Sequence, residues 1–242
     1  MQQIDVVLTK EKLNSSHPNN PNTIAVVFDI IFATSSITAA LEAGVNKIYV
    51  ANNLAEAETI GKSLGSDYEI AGEKMAQVFS GYRSYEPLAL NDSSLATKSL
   101  VYATTNGTVA LRKSANFLRT YAASLRNSAA VVNDLLQHIA DDKDILLICA
   151  GSHGHFSLED FYGAGCLINN IKNLSPKKFK LSDAAKAAAL VFNSSGSYEM
   201  LQDTNLGQHF TRIGKGQNLL FASQINTSDV VGVLQDNYIQ AL

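Results

Sequence analysis

A three-layer α/β/α fold built on a largely parallel sheet is predicted by the rhythm of the chain, in which short apolar runs alternate with stretches of helical apolar spacing. The composition agrees. Of 242 residues, 46% are hydrophobic and 17% charged, which supports a sizeable core and excludes wholesale disorder. Strands are expected over residues 4–8, 24–31, 47–50, 68–71, 100–104, 118–122 and 145–150, where runs such as Ile24-Ala25-Val26-Val27-Phe28 are continuously apolar, as in strands covered on both faces.

Between these runs, apolar residues recur at three- and four-residue spacing over 35–43, 55–64, 129–139 and 158–171, predicting core-facing helices. Asn127 and Ser128 are expected to cap the third, because short polar side chains satisfy free first-turn amides. Residues 14–22, rich in Asn, Ser and Pro, read as a loop feeding the second strand. Residues 74–92 are polar and show neither period, which predicts a long loop acting as a lid or a surface excursion. Beyond Ser175-Pro176-Lys177-Lys178, an Ala-rich helix is expected over 184–192, leaving 176–242 as a candidate C-terminal subdomain of a single domain spanning 1–242.

Nineteen Lys and Arg against 22 Asp and Glu give a net charge of −3, without the basic excess that nucleic-acid binding requires. The apolar run around Ile24 is broken by Asp29, and no basic leader with an apolar core opens the chain. A cytoplasmic protein with no nucleic-acid or membrane partner is therefore expected. Cys149 and Cys166 read as buried free thiols.

In open parallel sheets, ligands lie outside the carboxyl ends of the strands, and four predicted ends are polar. Asp29 follows a strongly apolar run, where a carboxylate must be paired, hydrogen-bonded or metal-bound, or else cap the following turn. Glu73 follows the run over 68–71 and would share a cation with Asp29 if their strands were neighbours. Hard oxygen ligands in small number suit Mg²⁺. Thr104-Thr105-Asn106-Gly107-Thr108 offers hydroxyl and amide donors for a phosphoryl group, or an ordinary strand-to-helix turn. Glu159 and Asp160 fall in the first turn of a helix, where negative charge is favoured; one of them is placed to reach the site. The chain contains no nucleophile-elbow, P-loop or dinucleotide-binding glycine motif, and its histidines lack zinc spacing.

Asp29 through Ala33-Thr34-Ser35, Gly72-Glu73, Thr104 to Thr108, and Ala150-Gly151 followed by Glu159-Asp160 resemble, in order and spacing, the 2-phosphosulfolactate phosphatase family. The tail over 225–231 resembles that family's ending as well. This resemblance implies an α/β/α fold and Mg²⁺-dependent removal of phosphate from phosphosulfolactate, a step of coenzyme M synthesis. The expected partner is a small phosphorylated acid, with or without a sulfonate, and a homo-oligomer is a further expectation.

The site so implied has Asp29, Glu73, Thr105, Asn106 and Glu159 in the chemistry. Thr34, Ser35, Lys74, Thr104, Gly107, Thr108 and Gly151 surround the substrate, and Asp29, Glu73 and Asp160 hold Mg²⁺. Family members usually carry Arg where Phe32 stands and Gly-Glu-Arg-Gly-Gly where Gly72 to Ala76 stand, with a Gly-Asn-Ser-Pro turn near Tyr85 to Pro87. The substrate is therefore expected to differ here, with Lys74 or Arg83 as replacements for the lost donor. A non-catalytic anion-binding protein on the same fold is the rival expectation.

Overall fold

The structure, a computed structural model, describes residues 2–13, 22–140 and 143–242. Apart from Asn22, the loop expected over 14–22 lies outside the described residues. The strands are β1 (Gln3–Val7), β2 (Thr23–Phe28), β3 (Lys47–Ala51), β4 (Tyr68–Lys74), β5 (Gln77–Val78), β6 (Ser99–Ala103), β7 (Arg119–Ala123), β8 (Asp144–Cys149), β9 (Lys180–Leu181), β10 (Gly232–Gln235) and β11 (Tyr238–Ala241). All seven predicted strands form. β2 ends three residues early, so that Asp29 is the first residue beyond it.

The helices are α1 (Ala33–Glu42), α2 (Leu54–Ser63), α3 (Pro87–Leu90), α4 (Gly107–Lys113), α5 (Ser128–His138), α6 (Leu158–Leu174), α7 (Asp183–Phe192), α8 (Ser197–Asp203), α9 (Asn205–Arg212) and α10 (Gly216–Ala222). Together with the sheet they make a three-layer α/β fold. α6 packs on α5 and α7 and against β2 and β8, while α1 packs with α3 and α4 and against β7 and β10. Among the described residues, no helix is long and apolar enough to cross a membrane.

All strands join one sheet of order β5-β4-β6-β3-β11-β10-β7-β2-β8-β1-β9. β9, β1, β8, β2 and β7 form one parallel block, and β3, β6 and β4 form another. Between them stands the C-terminal hairpin, antiparallel to β7 on one side and to β3 on the other. Three successive antiparallel ladders reverse the second block relative to the first. Five ladders separate β6 from β2. With each ladder contributing a twist of roughly 20–25°, the accumulated rotation is of order 100–125°, which brings the carboxyl ends of the two blocks back toward one another.

β2 sits near the middle of the first block and is buried at every position, which accounts for its unbroken apolar sequence. The stretch from residue 176, expected as a subdomain, supplies β9, four helices and the hairpin, and the hairpin is hydrogen-bonded into the main sheet on both sides.

Two local expectations are corrected. Asn127 stands at the N-cap position of α5, but its Oδ1 accepts from the Ser124 amide at 2.8 Å and its Nδ2 donates to the Val230 carbonyl at 3.0 Å. It therefore ties the end of β7 to the C-terminal segment and leaves the first turn of α5 uncapped by its side chain. The segment expected as one loop over 74–92 contains the β4–β5 hairpin and α3, and is pinned by Arg83 to Asp92 and by Glu86 to Lys215. Cys149 and Cys166 are both free and buried, as expected.

Candidate active site

Asp29 is placed by the turn from β2 into α1. Thr34 closes that turn, with its amide and hydroxyl both donating to the Asp29 carbonyl while its Oγ1 accepts from the Asp29 amide at 3.1 Å. Ser35 Oγ donates to the Ile30 carbonyl at 2.8 Å. Thr34 and Ser35, expected around the substrate, are fully buried outside the cavity wall, and their hydroxyls are engaged in shaping the turn that carries Asp29. The Asp29 carboxyl receives one long bond, from the Ala33 amide to Oδ1 at 3.4 Å. Burial pushes this carboxyl up to about 7; the Ala33 amide and Lys10 oppose the rise, and the nearby charges of Glu73 and Glu159 add to it.

The second block delivers the next groups. Glu73, at the end of β4, accepts from the Thr105 amide at 2.5 Å through Oε1, and from the Thr105 hydroxyl at 3.0 Å and the Ala76 amide at 2.7 Å through Oε2. β4 and β2 are not neighbours, yet Glu73 lines the same cavity as Asp29 while its carboxylate clamps the loop after β6. Thr104 and Thr108 bond reciprocally, amide to hydroxyl, at 2.9 and 3.1 Å. Thr108 is fully buried beneath the cavity, not in its wall as expected.

Gly107 is required by close approach, since a Cβ there would lie 2.4 Å from Ala33 Cβ and 2.7 Å from Asp29 Oδ2. Its role is to let the two strand ends meet. Lys74 is exposed and outside the cavity wall, and Arg83, also outside it, pairs with Asp92 and Glu69.

Lys10 was not anticipated. It follows β1 and is 5% exposed, and its Nζ donates to Asn106 Oδ1 at 2.7 Å while pairing with Glu11 at 2.9 Å. Because Oδ1 is held by Lys10, the Asn106 amide must present its NH₂ group elsewhere, as a donor. No motif marks this lysine; only the parallel pairing of β1 and β8 carries it to the site.

Asp160, in the first turn of α6, accepts from the Ile30 amide at 2.9 Å and from the Gly151 amide at 3.1 Å, joining the loops after β2 and β8. Gly151 has φ +69°, the left-handed region that favours glycine, and its Cβ would lie 2.8 Å from the His155 carbonyl. Burial, reinforced for Asp160 by the charges of Asp29 and Glu159, pushes the carboxyls of Glu159 and Asp160 up.

These strand ends surround a cavity of about 270 Å³. Asp29, Glu73, Glu159 and Asp160 line it with Thr104, Thr105, Asn106 and Gly151, so most of the predicted site residues do come together. The wall also takes Tyr85 from the segment before α3, within the stretch read as a lid, and Leu206, His209 and Phe210 from α9, which were not anticipated. Phe32 packs on Phe210 with ring centroids 4.8 Å apart. Sequence offered only the amphipathic spacing of Leu206 and Phe210 as a signal for this cover.

Among the described residues, no three His, Cys, Asp or Glu side chains stand close enough to hold a metal ion together. Mg²⁺ does not need such a cage, since it is usually held by one or two carboxylates and completes its shell with water and phosphate oxygens. Glu73 and Asp160 have both oxygens engaged by N–H or O–H donors. No donor among the described residues reaches Asp29 Oδ2, so that oxygen, unlike those of Glu73 and Asp160, is not engaged by a hydrogen bond.

The family profile described as 2-phosphosulpholactate phosphatase matches residues 7–237. A protein of Carboxydothermus hydrogenoformans named probable 2-phosphosulfolactate phosphatase is 32% identical over 236 residues, covering 97% of this chain and 94% of its own length. A protein of the same name from Clostridium perfringens is 31% identical over 246 residues, covering 99% and 96%. One from Clostridium beijerinckii is 28% identical over 242 residues, covering 98% of both. With its ordered site residues gathered around one cavity, this chain belongs to the 2-phosphosulpholactate phosphatase family, a family of phosphoric monoester hydrolases.

Proposed function

We propose that this chain hydrolyses a small phosphate monoester with the help of Mg²⁺ bound at Asp29. The observation that carries the reading is the pairing of a buried, under-bonded Asp29 carboxylate with an Asn106 amide that Lys10 locks in donor orientation, both on the wall of one cavity. When bound, Mg²⁺ would neutralise charge on the phosphoryl oxygens. Asn106 Nδ2 donates to a phosphoryl oxygen and orients it. Glu73 fixes the loop carrying Thr105 and Asn106, and Asp160 fixes the strand ends carrying Ile30 and Gly151. Glu159, in the cavity wall beside Asp29, is placed to move a proton.

In the net reaction, a water oxygen forms the new bond to phosphorus as the ester P–O bond breaks, and one water proton ends on the departing alcohol oxygen. The ester printed in the relatives' names, 2-phosphosulfolactate, belongs in the first panel to be tested. Phosphate release should require Mg²⁺ and should fall at least a thousandfold in Asp29→Asn. Undiminished turnover by that variant would remove Asp29 from the chemistry.

A further inference from the structure

The cavity wall is divided by chemistry. Its acidic members are Asp29, Glu73, Glu159 and Asp160, and its apolar members include Ile31, Phe32, Met75, Leu206 and Phe210. All 19 Lys and Arg fall among the described residues, and none of them lines this cavity. The nearest, Lys10, is engaged by Asn106, the Ala150 carbonyl and Glu11. Lys215 is paired with Glu86 at 2.7 Å, and Arg83 with Asp92 at 2.7 Å. The remaining basic side chains in the wall are the imidazoles of His153 and His209.

A second cavity, of about 570 Å³, adjoins the first across Ser152, His153, Ser157, Glu159 and Leu206. Its further lining includes Phe156, 48% exposed, and the neutral polar side chains of Thr204 and Asn205, again without Lys or Arg. With a phosphoryl group at Asp29 and Asn106, the rest of the wall offers Phe32, Leu206 and Phe210 to the organic part, and the adjoining cavity reaches Phe156.

We propose that the ester taken by this site carries an uncharged, partly apolar organic group, packed on the Phe32–Phe210 wall, and not a second strong anion such as a sulfonate. A second anion here would exchange water for carboxylates and aromatic carbon, with no guanidinium or ammonium to receive it. An uncharged group instead buries apolar surface against the aromatic pair. This inference rests on the phosphatase reading for the position of the phosphoryl group.

The test compares turnover of benzyl phosphate and 2-phosphosulfolactate with Mg²⁺, and calorimetric binding of benzylphosphonate and phosphonoacetate, in the wild type and in Leu206→Arg. Leu206 is half-buried and lines both cavities. The expected results are a kcat/KM for benzyl phosphate at least tenfold above that for 2-phosphosulfolactate, and tighter binding of benzylphosphonate by a similar factor. Both ratios should narrow at least tenfold in Leu206→Arg. Preference of the wild type for 2-phosphosulfolactate and phosphonoacetate would overturn the substrate class while leaving the hydrolysis reading intact. Tighter binding of benzylphosphonate with no turnover of either ester would support the class and defeat hydrolysis. Failure to bind either phosphonate would defeat both.

Discussion

Asp29→Asn in the metal-free protein should raise stability, and by an amount that depends on pH. The substitution keeps the shape of the side chain and an oxygen to accept the Ala33 amide, but removes a buried charge. Below an ordinary value of 3.8 the Asp29 carboxyl is protonated in folded and unfolded chains alike, and it costs nothing. From there to about 7 the unfolded chain has ionised while the folded chain retains its proton, so stability falls as pH rises, and above that the penalty is constant. A displacement of roughly three pKa units corresponds to about 4 kcal/mol, taken as a ceiling because relaxation and water entry reduce it. For a chain of this size each kcal/mol moves Tm by roughly 2–4 °C, so the ceiling corresponds to roughly 8–16 °C.

The assay is thermal and urea unfolding of both proteins in chelator from pH 4 to pH 8.5. The curves should meet near pH 4, and the variant should be the more stable by several degrees at pH 8. Equal destabilisation of the variant at both ends of the range would show that Asp29 is a paired structural carboxylate, and the argument for an under-bonded site group would fail.

Other outcomes follow from the same geometry. Millimolar Mg²⁺ should stabilise the wild type, by about 2.7 kcal/mol at a hundredfold excess over Kd, and should leave the Tm of Asp29→Asn unmoved. Lys10→Met should lower kcat roughly 10- to 100-fold by releasing the Asn106 amide, since bonds to charged groups contribute about 1.5–3 kcal/mol. Lys10→Arg should restore part of the loss, and full activity in Lys10→Met would remove the positioning role. Gly107→Ala should abolish activity and cost about 1–3 kcal/mol of stability, because its Cβ has no room beside Ala33 and Asp29. Thr108→Val should cost about 1–3 kcal/mol by leaving the Thr104 amide without its acceptor, while leaving KM unchanged; a raised KM would restore Thr108 to the substrate wall.

The particular residues show why parts of the fold and site could be read in advance. Periodicity located every strand of the two parallel blocks except the two-residue β9, and the four polar strand ends proved to face one cavity, because parallel strands flanked by helices concentrate polar residues at their carboxyl ends. Neighbour relations were not legible. Asp29 and Glu73 meet although their strands are far apart in the sheet, since the C-terminal hairpin reverses one block and twist restores the approach. The hydroxyls of Thr34, Ser35 and Thr108 look in sequence like phosphate donors, but backbone groups take them, as they do in many strand-to-helix turns. Lys10 and Phe210 reach the site only through long-range packing, which no local spacing encodes.

The central claim, that this cavity hydrolyses phosphate monoesters, is tested most directly by measuring phosphate release from a panel of monoesters that includes 2-phosphosulfolactate and benzyl phosphate. Wild type and Asp29→Asn are compared, with Mg²⁺ and with chelator. Release by the wild type that disappears in chelator and in Asp29→Asn is the predicted result. Absence of release from every ester by a folded wild type that still binds phosphonates would contradict it.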